Sequence, residues 1–481
     1  MCLAVAGVHF AITTWKLNHL YIYTWDLYFF DDVLYAISHG DLSGSSTILG
    51  HPVLADHVSY ILYPLSLFYL ISPDLQWLFA FEALALAAGG WAVEVVGRQA
   101  GLSVPRAQLL VMVYLLHPIV FNQIYPSFHP EVLAVPALLV AVWAAREGSP
   151  RWFGVALLVT LGCKWTLSIT VAALGAWLLC FDKRRPYGLA ALLAGIVWGV
   201  VSVAWILPMS GLSVDRHIYR FTEFGLSWSE IVGNLSRHPG RIWLMVATRD
   251  HLRDLAGIFL PLAGIYAWSL RCGSPRRFSG LLVLLPALAL ALLDGSSWTA
   301  GAITRLQYSL PLLPILMFTA ADCLPPGLLG AAGRNPVGNW DRRAGLALLW
   351  AIFTFLGLSD CIWWFREGHA PDPRKWRPTR EAIGRLPADS RVLTQRALFP
   401  LIARREFCGE LIVPVTHIER TVIATSSEYE FALLNTFCEP TGAAQAYVVH
   451  LGRSPQFRLI YQEGPVFLFR RGQSQAAAAQ E

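Results

Sequence analysis

Tyr187–Met209, YGLAALLAGIVWGVVSVAWILPM, runs from end to end without a charged side chain. A helix needs about 20 apolar residues to cross the hydrocarbon core of a bilayer, so this stretch reads as a membrane span. Working outward from it, the same rhythm recurs. Gly345–Phe365 is a second long apolar run, with Asp360 its one charged residue, and long apolar segments alternate with short loops over most of the chain. The composition agrees: 55% of the 481 residues are hydrophobic, 14% are charged, and 19 are tryptophan. That balance is too apolar for a water-soluble chain of this length. The net charge of +5 resides in arginine-bearing loops. No basic helix or stripe stands apart from the membrane pattern, which excludes a nucleic-acid reading. Met1–Trp15 lacks a basic leader and a small-residue cleavage site, so it reads as a first span that begins abruptly. Whether the chain starts further upstream stays open.

Short cytoplasmic loops retain Lys and Arg. Five basic loops therefore belong on one side: Gly97–Arg106, Arg146–Arg151, Phe181–Pro186, Arg271–Arg277 and Arg334–Arg343. With all five inside, Val58–Ser72 cannot be a full span. It is short, interrupted by Pro64, and reads as an interfacial or re-entrant helix on the outer face. Trp152–Cys180 begins and ends beside basic loops, so it must go out and return, turning near Lys164-Trp165-Thr166. The expectation is an α-helical polytopic membrane protein of about eleven spans with a cytoplasmic N-terminus, residing in the plasma (inner) membrane.

The membrane part covers 1–366, with outer-face loops at 16–74 and 210–255. The segment 367–472 changes to an Arg/Asp/Glu/Pro-rich composition with strand-like runs at Arg391–Gln395, Leu411–Val415, Ala446–Leu451 and Pro465–Arg470. It reads as a small extracytoplasmic α/β domain, and 473–481 as a disordered tail. No internal repeat is evident, which weakens a transporter built from inverted repeats.

Charged groups gather on the predicted outer face. The first loop holds Asp26, Asp31, Asp32, Asp41 and Asp56, with His39, His51 and His57. Asp26, Asp31 and Asp32 stand among Trp25, Tyr28, Phe29 and Phe30. Carboxylates against such a surface lose solvent and gain basicity, which suits a general base; a carboxylate pair such as Asp31 and Asp32 can also hold a divalent cation, Mg²⁺ or Mn²⁺. The bland reading is an amphipathic helix with its acids in water. His129 and Glu131 share the outer face, where a lone His is often only a loop hydrogen-bonder. Lys164 falls mid-way through an apolar stretch, a costly place for a cation and a functional candidate unless it snorkels to headgroups. Arg220, Arg305 and Tyr308 come from later outer loops. Lys164, Arg220 and Arg305 opposite carboxylates would suit a phosphate-bearing lipid. Taken singly, each arginine is as readily a headgroup contact or loop brace.

Glu82 and Glu94 fall in the second span, Glu82 facing the bundle interior. The cysteines form no metal pattern, and a Cys408–Cys438 disulfide stays open. There is no P-loop, GxGxxG, HExxH or nucleophile elbow. No cofactor is implied with certainty.

The run FDDVLYAISHG after the first span is similar to the acidic element in the first outer loop of the C-type glycosyltransferase superfold (GT-C). Lys164 at its hairpin resembles the lysine that such enzymes set against the donor lipid phosphate. More fully, WDLYFFDD, ADHVSYILYPLSLFYL, SFHPEVLAVP, CKWTLS and QYSLPLLPIL, in this order from about Trp25 to Leu316, resemble the prokaryotic membrane protein family called domain of unknown function 2079. Two features depart from that family's pattern: Trp165 and Thr166 stand where acids commonly follow the lysine, and Asp32 where an amide is usual. The resemblance implies inverting sugar transfer from a polyprenyl-phosphate sugar to a cell-envelope acceptor on the outer face. Asp31, supported or replaced by Asp26, would be the base. Lys164, Arg220 and Arg305 would neutralise the donor phosphate, while His57, His129, Glu131 and Tyr308 would line the acceptor side or orient Asp31. The alternatives are a transporter or flippase for lipid-linked glycans, which needs a polar path that the spans scarcely offer, or a non-catalytic binding protein.

Overall fold

The computed structural model describes residues 1–21, 25–45, 52–125, 127–209, 213–272, 275–296, 299, 301–324, 342–366, 373–387, 390–395, 398–402, 408–410, 429–437 and 443–472. The chain is mostly helical, with one small sheet near its C-terminal end. Its principal helices, in chain order, are α1 (Cys2–Asn18), α2 (Trp25–Ser38), α3 (Gln76–Gln99), α4 (Val104–Leu115), α5 (Ala134–Glu147), α6 (Pro150–Cys163), α7 (Leu167–Cys180), α8 (Arg185–Val201), α9 (Arg249–Cys272), α10 (Leu312–Cys323), α11 (Arg342–Leu358), α12 (Pro373–Gly384) and α13 (Ala443–Arg453). The chain divides into two compact units.

The first unit contains Met1–Phe10, Val53–Pro64 and Phe79–Gly368. Gln76–Gln99, and Arg185–Met209, in which α8 continues through a π turn at Ser202–Ile206, are long and apolar enough to cross a bilayer. Along α8 the side chains of Leu189, Leu193, Ile196, Val197 and Val200 are all exposed. A continuous apolar face of this kind is stable against lipid and costly against water. The opposite face of α8 meets α7 at backbone range. A Cβ on Gly175 would lie 2.3 Å from the Leu192 nitrogen, and one on Gly195 would lie 2.5 Å from the Ser168 carbonyl oxygen. Such small-residue seams let helices associate where lipid removes the hydrophobic drive. Glu82 of α3 is buried beside His9 of α1, Oε2 to Nε2 3.4 Å. The glutamate thus has a partner inside the bundle.

Two turns carry the site. Gly148 takes the left-handed backbone (φ 75°) that closes α5, and Pro150 opens α6 at once, where its missing N–H costs nothing. At the far end α6 stops at Cys163 and α7 starts at Leu167, leaving Lys164 in the break. The run Gly345–Phe365, expected as one span, is interrupted instead. α11 ends at Leu358, and a short helix restarts at Cys361. The reason is Asp360, whose N–H goes to Asn122 Oδ1 and whose carboxylate turns to Arg305.

The second unit contains Ala11–Pro52, Leu65–Leu78 and His369–Glu481. Its sheet has the order β2-β1-β3-β5-β4, with β1 Val392–Thr394, β2 Cys408–Glu410, β3 Phe431–Asn435, β4 Phe457–Glu463 and β5 Val466–Arg471. β1 pairs in parallel with β2 and β3, and β5 runs antiparallel to β3 and β4. Every residue of β3 is buried, as a central strand covered on both faces requires. Phe431 and Leu433 pack with Tyr28 and Ala382 on one face, while Ala432 and Leu434 pack with Tyr447 and Leu451 on the other. Ala446–Leu451, expected as a strand, is part of helix α13. Ala444, Tyr447 and Leu451 are buried, a helical spacing that overrides the β-favouring Tyr-Val-Val. Leu411–Val415, Cys438 and 473–481 lie outside the described residues.

Candidate functional site

Lys164 owes its place to the end of α6. The last carbonyls of a helix lack intrahelical partners, and a strap running from His57 to Ile61 supplies them. Ile61 N–H donates to Gly162 O (2.9 Å) and Ser59 Oγ to Cys163 O (2.6 Å), while Trp165 N–H donates back to His57 O (3.2 Å). In the middle of the strap Val58 sits at φ 53°, fully buried. A β-branched residue in the left-handed region is strained by about 1–3 kcal/mol, and the surrounding bonds hold it there. With its neighbours fixed, Lys164 takes extended backbone (φ −165°, ψ 143°).

Its ammonium donates to Glu131 Oε1 at 2.7 Å and lies 5.7 Å from the ring centre of Tyr308. Arg220 stands over the same ring, Cζ 5.3 Å from its centre. Arg220 donates from Nη1 to Asp294 Oδ2 (3.0 Å) and from Nε to Tyr219 (3.3 Å). Two cations thus share one phenol, each held by a single buried carboxylate. Burial would raise the Glu131 carboxyl, but Lys164, with His129 and His57 nearby, holds it below the usual carboxylate range. Burial would lower Lys164, and Glu131 followed by Tyr308 keeps it above the ordinary lysine value instead. Both groups therefore stay charged at neutral pH.

The remaining residues singled out in the sequence fall around this cluster or apart from it. His129 is buried beside Glu131, Nδ1 3.2 Å from Ser127 O, and His57 Nδ1 faces Asp56 Oδ2 at 3.3 Å. Glu131 and Tyr308, read as acceptor-side groups, are the direct neighbours of Lys164. Arg305 is engaged elsewhere: Nη2 bonds Asp360 Oδ1 at 2.6 Å and Nε also meets that carboxylate. The loop leading to Arg305 and Tyr308 is organised by Asp254 of α9, a buried carboxylate that accepts from the backbone N–H groups of Ile303, Thr304 and Gly301. Sequence reasoning missed Asp254, Asp294 and Asp360. Their one signal was an acid adjoining or interrupting an otherwise apolar run.

In the second unit α2 is buried nearly all round, from Leu27 to Leu34. Asp31 is fully buried and accepts the Tyr69 hydroxyl at 2.6 Å. Asp32 is also buried and Asp26 is half-buried, so the reading of acids turned to water fails for this helix. Successive helical side chains diverge by about 100°, so Asp31 and Asp32 do not form a chelating pair. Among the described residues no group of three or more His, Cys, Asp or Glu is arranged to hold a metal ion.

A further charged group of the first unit lies where α5, α7 and α10 end. Arg146 bonds both oxygens of Asp182 (3.1 and 3.3 Å) and both oxygens of Asp322 (2.7 and 3.0 Å), and its guanidinium stands 5.6 Å from the Trp177 ring.

Comparison with solved structures places this architecture. ArnT from Cupriavidus metallidurans bound to undecaprenyl phosphate superposes with a TM-score of 0.61 at 11% identity, covering 98% of each chain. Its apo state gives 0.57 at 10% identity, covering 98% of this chain and 99% of that one. The mycobacterial arabinofuranosyltransferase AftD gives 0.55 at 15% identity, with 98% of this chain matching 40% of that one. The chain therefore has the fold of the GT-C membrane glycosyltransferases. No curated protein matches it by sequence. The family model for predicted membrane proteins termed DUF2079 matches residues 16–429, and the chain belongs to that family.

Proposed function

We propose that this protein is a membrane glycosyltransferase that takes a sugar from a polyprenyl-phosphate donor and transfers it to a cell-envelope acceptor at the outer face of the plasma membrane. The observation that carries this reading is the convergence of Lys164 and Arg220 on Tyr308. Lys164 has three N–H donors and Arg220 five, and among the described residues each is bonded to only one carboxylate. Donors remain for a phosphate. In support, ArnT, which has the same fold, was solved with undecaprenyl phosphate bound.

In the proposed reaction an acceptor hydroxyl loses its proton to Asp31 as its oxygen attacks the anomeric carbon from the face opposite the leaving group. The bond from that carbon to the phosphate oxygen breaks, and the oxygen departs with the electron pair. Lys164 and Arg220 stabilise the charge that develops there, often the largest single catalytic term. Tyr69, donating to Asp31 Oδ1, fixes the orientation of the base. His57 and His129 support the network through Glu131. Arg305 acts through its own ion pair with Asp360, holding the loop that presents Tyr308.

The test is transfer from a panel of radiolabelled polyprenyl-phosphate sugars by purified protein in native lipid, with Asp31→Asn and Lys164→Ala alongside. Loss of transfer in both variants, with the proteins folded, supports the reading. Transfer unchanged in Asp31→Asn, or absent from wild type with every donor, removes it.

A further inference from the structure

Helix α12 of the second unit has two faces. Thr379, Ala382 and Ile383 turn inward; Thr379 Oγ1 accepts from Asn435 Nδ2 (2.9 Å), and Ala382, with Leu386 just past the helix end, joins the core over β3. Arg374, Arg377 and Arg380 recur every three residues and are exposed. At 100° per residue they form a stripe opposite the buried face. Two of these guanidiniums are held in place. Arg377 and Arg380 stand 5.4 and 5.7 Å from the centre of the Trp376 ring, and Arg380 donates to Asn18 Oδ1 at 2.6 Å. His19 meets Trp376 edge-on at 5.5 Å.

Asn18 and His19 mark the end of α1, an apolar helix about 26 Å long with Leu3 and Val8 exposed. At that end Trp15 stacks on Tyr21, ring centres 5.3 Å apart. Trp and Tyr collect where a span meets headgroups. Through Arg380 and Trp376, the arginine stripe is tied to this level of the helix.

We propose that the Arg374–Arg377–Arg380 face of α12 is a docking surface for the headgroups of anionic phospholipids. Three guanidiniums spaced by about 4.5 Å of helix rise present a row of positive charge to phosphodiesters, and Arg forms forked bonds to phosphate oxygens. The surface belongs to a different unit from the Lys164 cluster and does not depend on the function proposed for that cluster.

The test is photocrosslinking of the full-length protein in nanodiscs containing a photoactivatable phosphatidylglycerol or, separately, phosphatidylcholine, with adducts mapped by peptide mass spectrometry. Adducts on 373–384 are expected from phosphatidylglycerol, reduced at least about tenfold in R374Q/R377Q/R380Q and retained when the three are changed to Lys. If the triple variant does not fold, R377Q alone, which keeps the Arg380–Asn18 bond, should reduce them about fivefold. Equal labelling by phosphatidylcholine, or labelling unchanged by the glutamines, overturns the proposal. Full competition by inorganic phosphate also overturns it, by making this a site for free anions.

Discussion

Arg146 and Arg220 are both arginines of the first unit that pair with aspartates, half-buried Asp182 and Asp322 in one case and buried Asp294 in the other, and they are built for opposite purposes. Arg146 meets four carboxylate oxygens from two aspartates. Arg220 meets one carboxylate and lays its charge over an aromatic ring that Lys164 also faces. Fourteen-residue α6 separates the Arg146 end of the bundle from the Lys164 end by about 21 Å. A cation with four of its five N–H donors taken by fixed carboxylates holds helices together and has little left for a ligand. A cation with one carboxylate at its back keeps its charge and part of its hydrogen-bonding capacity. The degree of saturation, more than the number of arginines, separates structural from candidate catalytic charge.

The largest effect is expected from the saturated pair. Arg146→Ala leaves Asp182 and Asp322 without their counter-charge and should destabilise the fold by about 3–5 kcal/mol, read as a lower thermal midpoint in detergent. Polyprenyl-phosphate affinity per folded molecule should not change. Lys164→Ala should lower transfer about 100-fold and also strand the Glu131 charge. Adding Glu131→Gln should recover the thermal midpoint without recovering transfer, which separates the two roles. Arg220→Gln should weaken polyprenyl-phosphate binding about tenfold, or about 1.4 kcal/mol, with less loss of stability than Arg146→Ala. The smallest effect is one of pH. The folded state holds the Glu131 carboxyl below the ordinary glutamate value of 4.5, so its contribution to stability is present above that pH and is lost as pH falls through the lower folded value. Glu131→Gln should flatten this acid limb in thermal unfolding scans.

The sequence carried the turn at Lys164 because charge bookkeeping on the flanking loops allowed no other path for Trp152–Cys180. Strands near Val392 and Val466 were legible from β-branched and aromatic runs between turn residues. Partners distant in sequence were not legible. Arg220 and Asp294 are 74 residues apart and Arg305 and Asp360 are 55 apart, and nothing local to either acid points to its arginine. Glu131 was noticed for its position on the face shared with Lys164, yet its pairing with that lysine depends on how α6 and the Pro130–Leu133 turn pack. The burial of Asp31 was hidden for a related reason. Local pattern shows that aromatics flank it but not that Tyr69 reaches it.

The most direct measurement is equilibrium binding of undecaprenyl phosphate to wild-type protein and to Lys164→Ala/Glu131→Gln in nanodiscs, beside Arg146→Lys as a control away from the cluster. If Lys164 and Arg220 hold the donor phosphate, the double variant should lose at least about tenfold in affinity while the control binds as wild type. Equal affinity in the folded double variant and wild type would contradict the phosphate assignment and leave the cluster a structural brace.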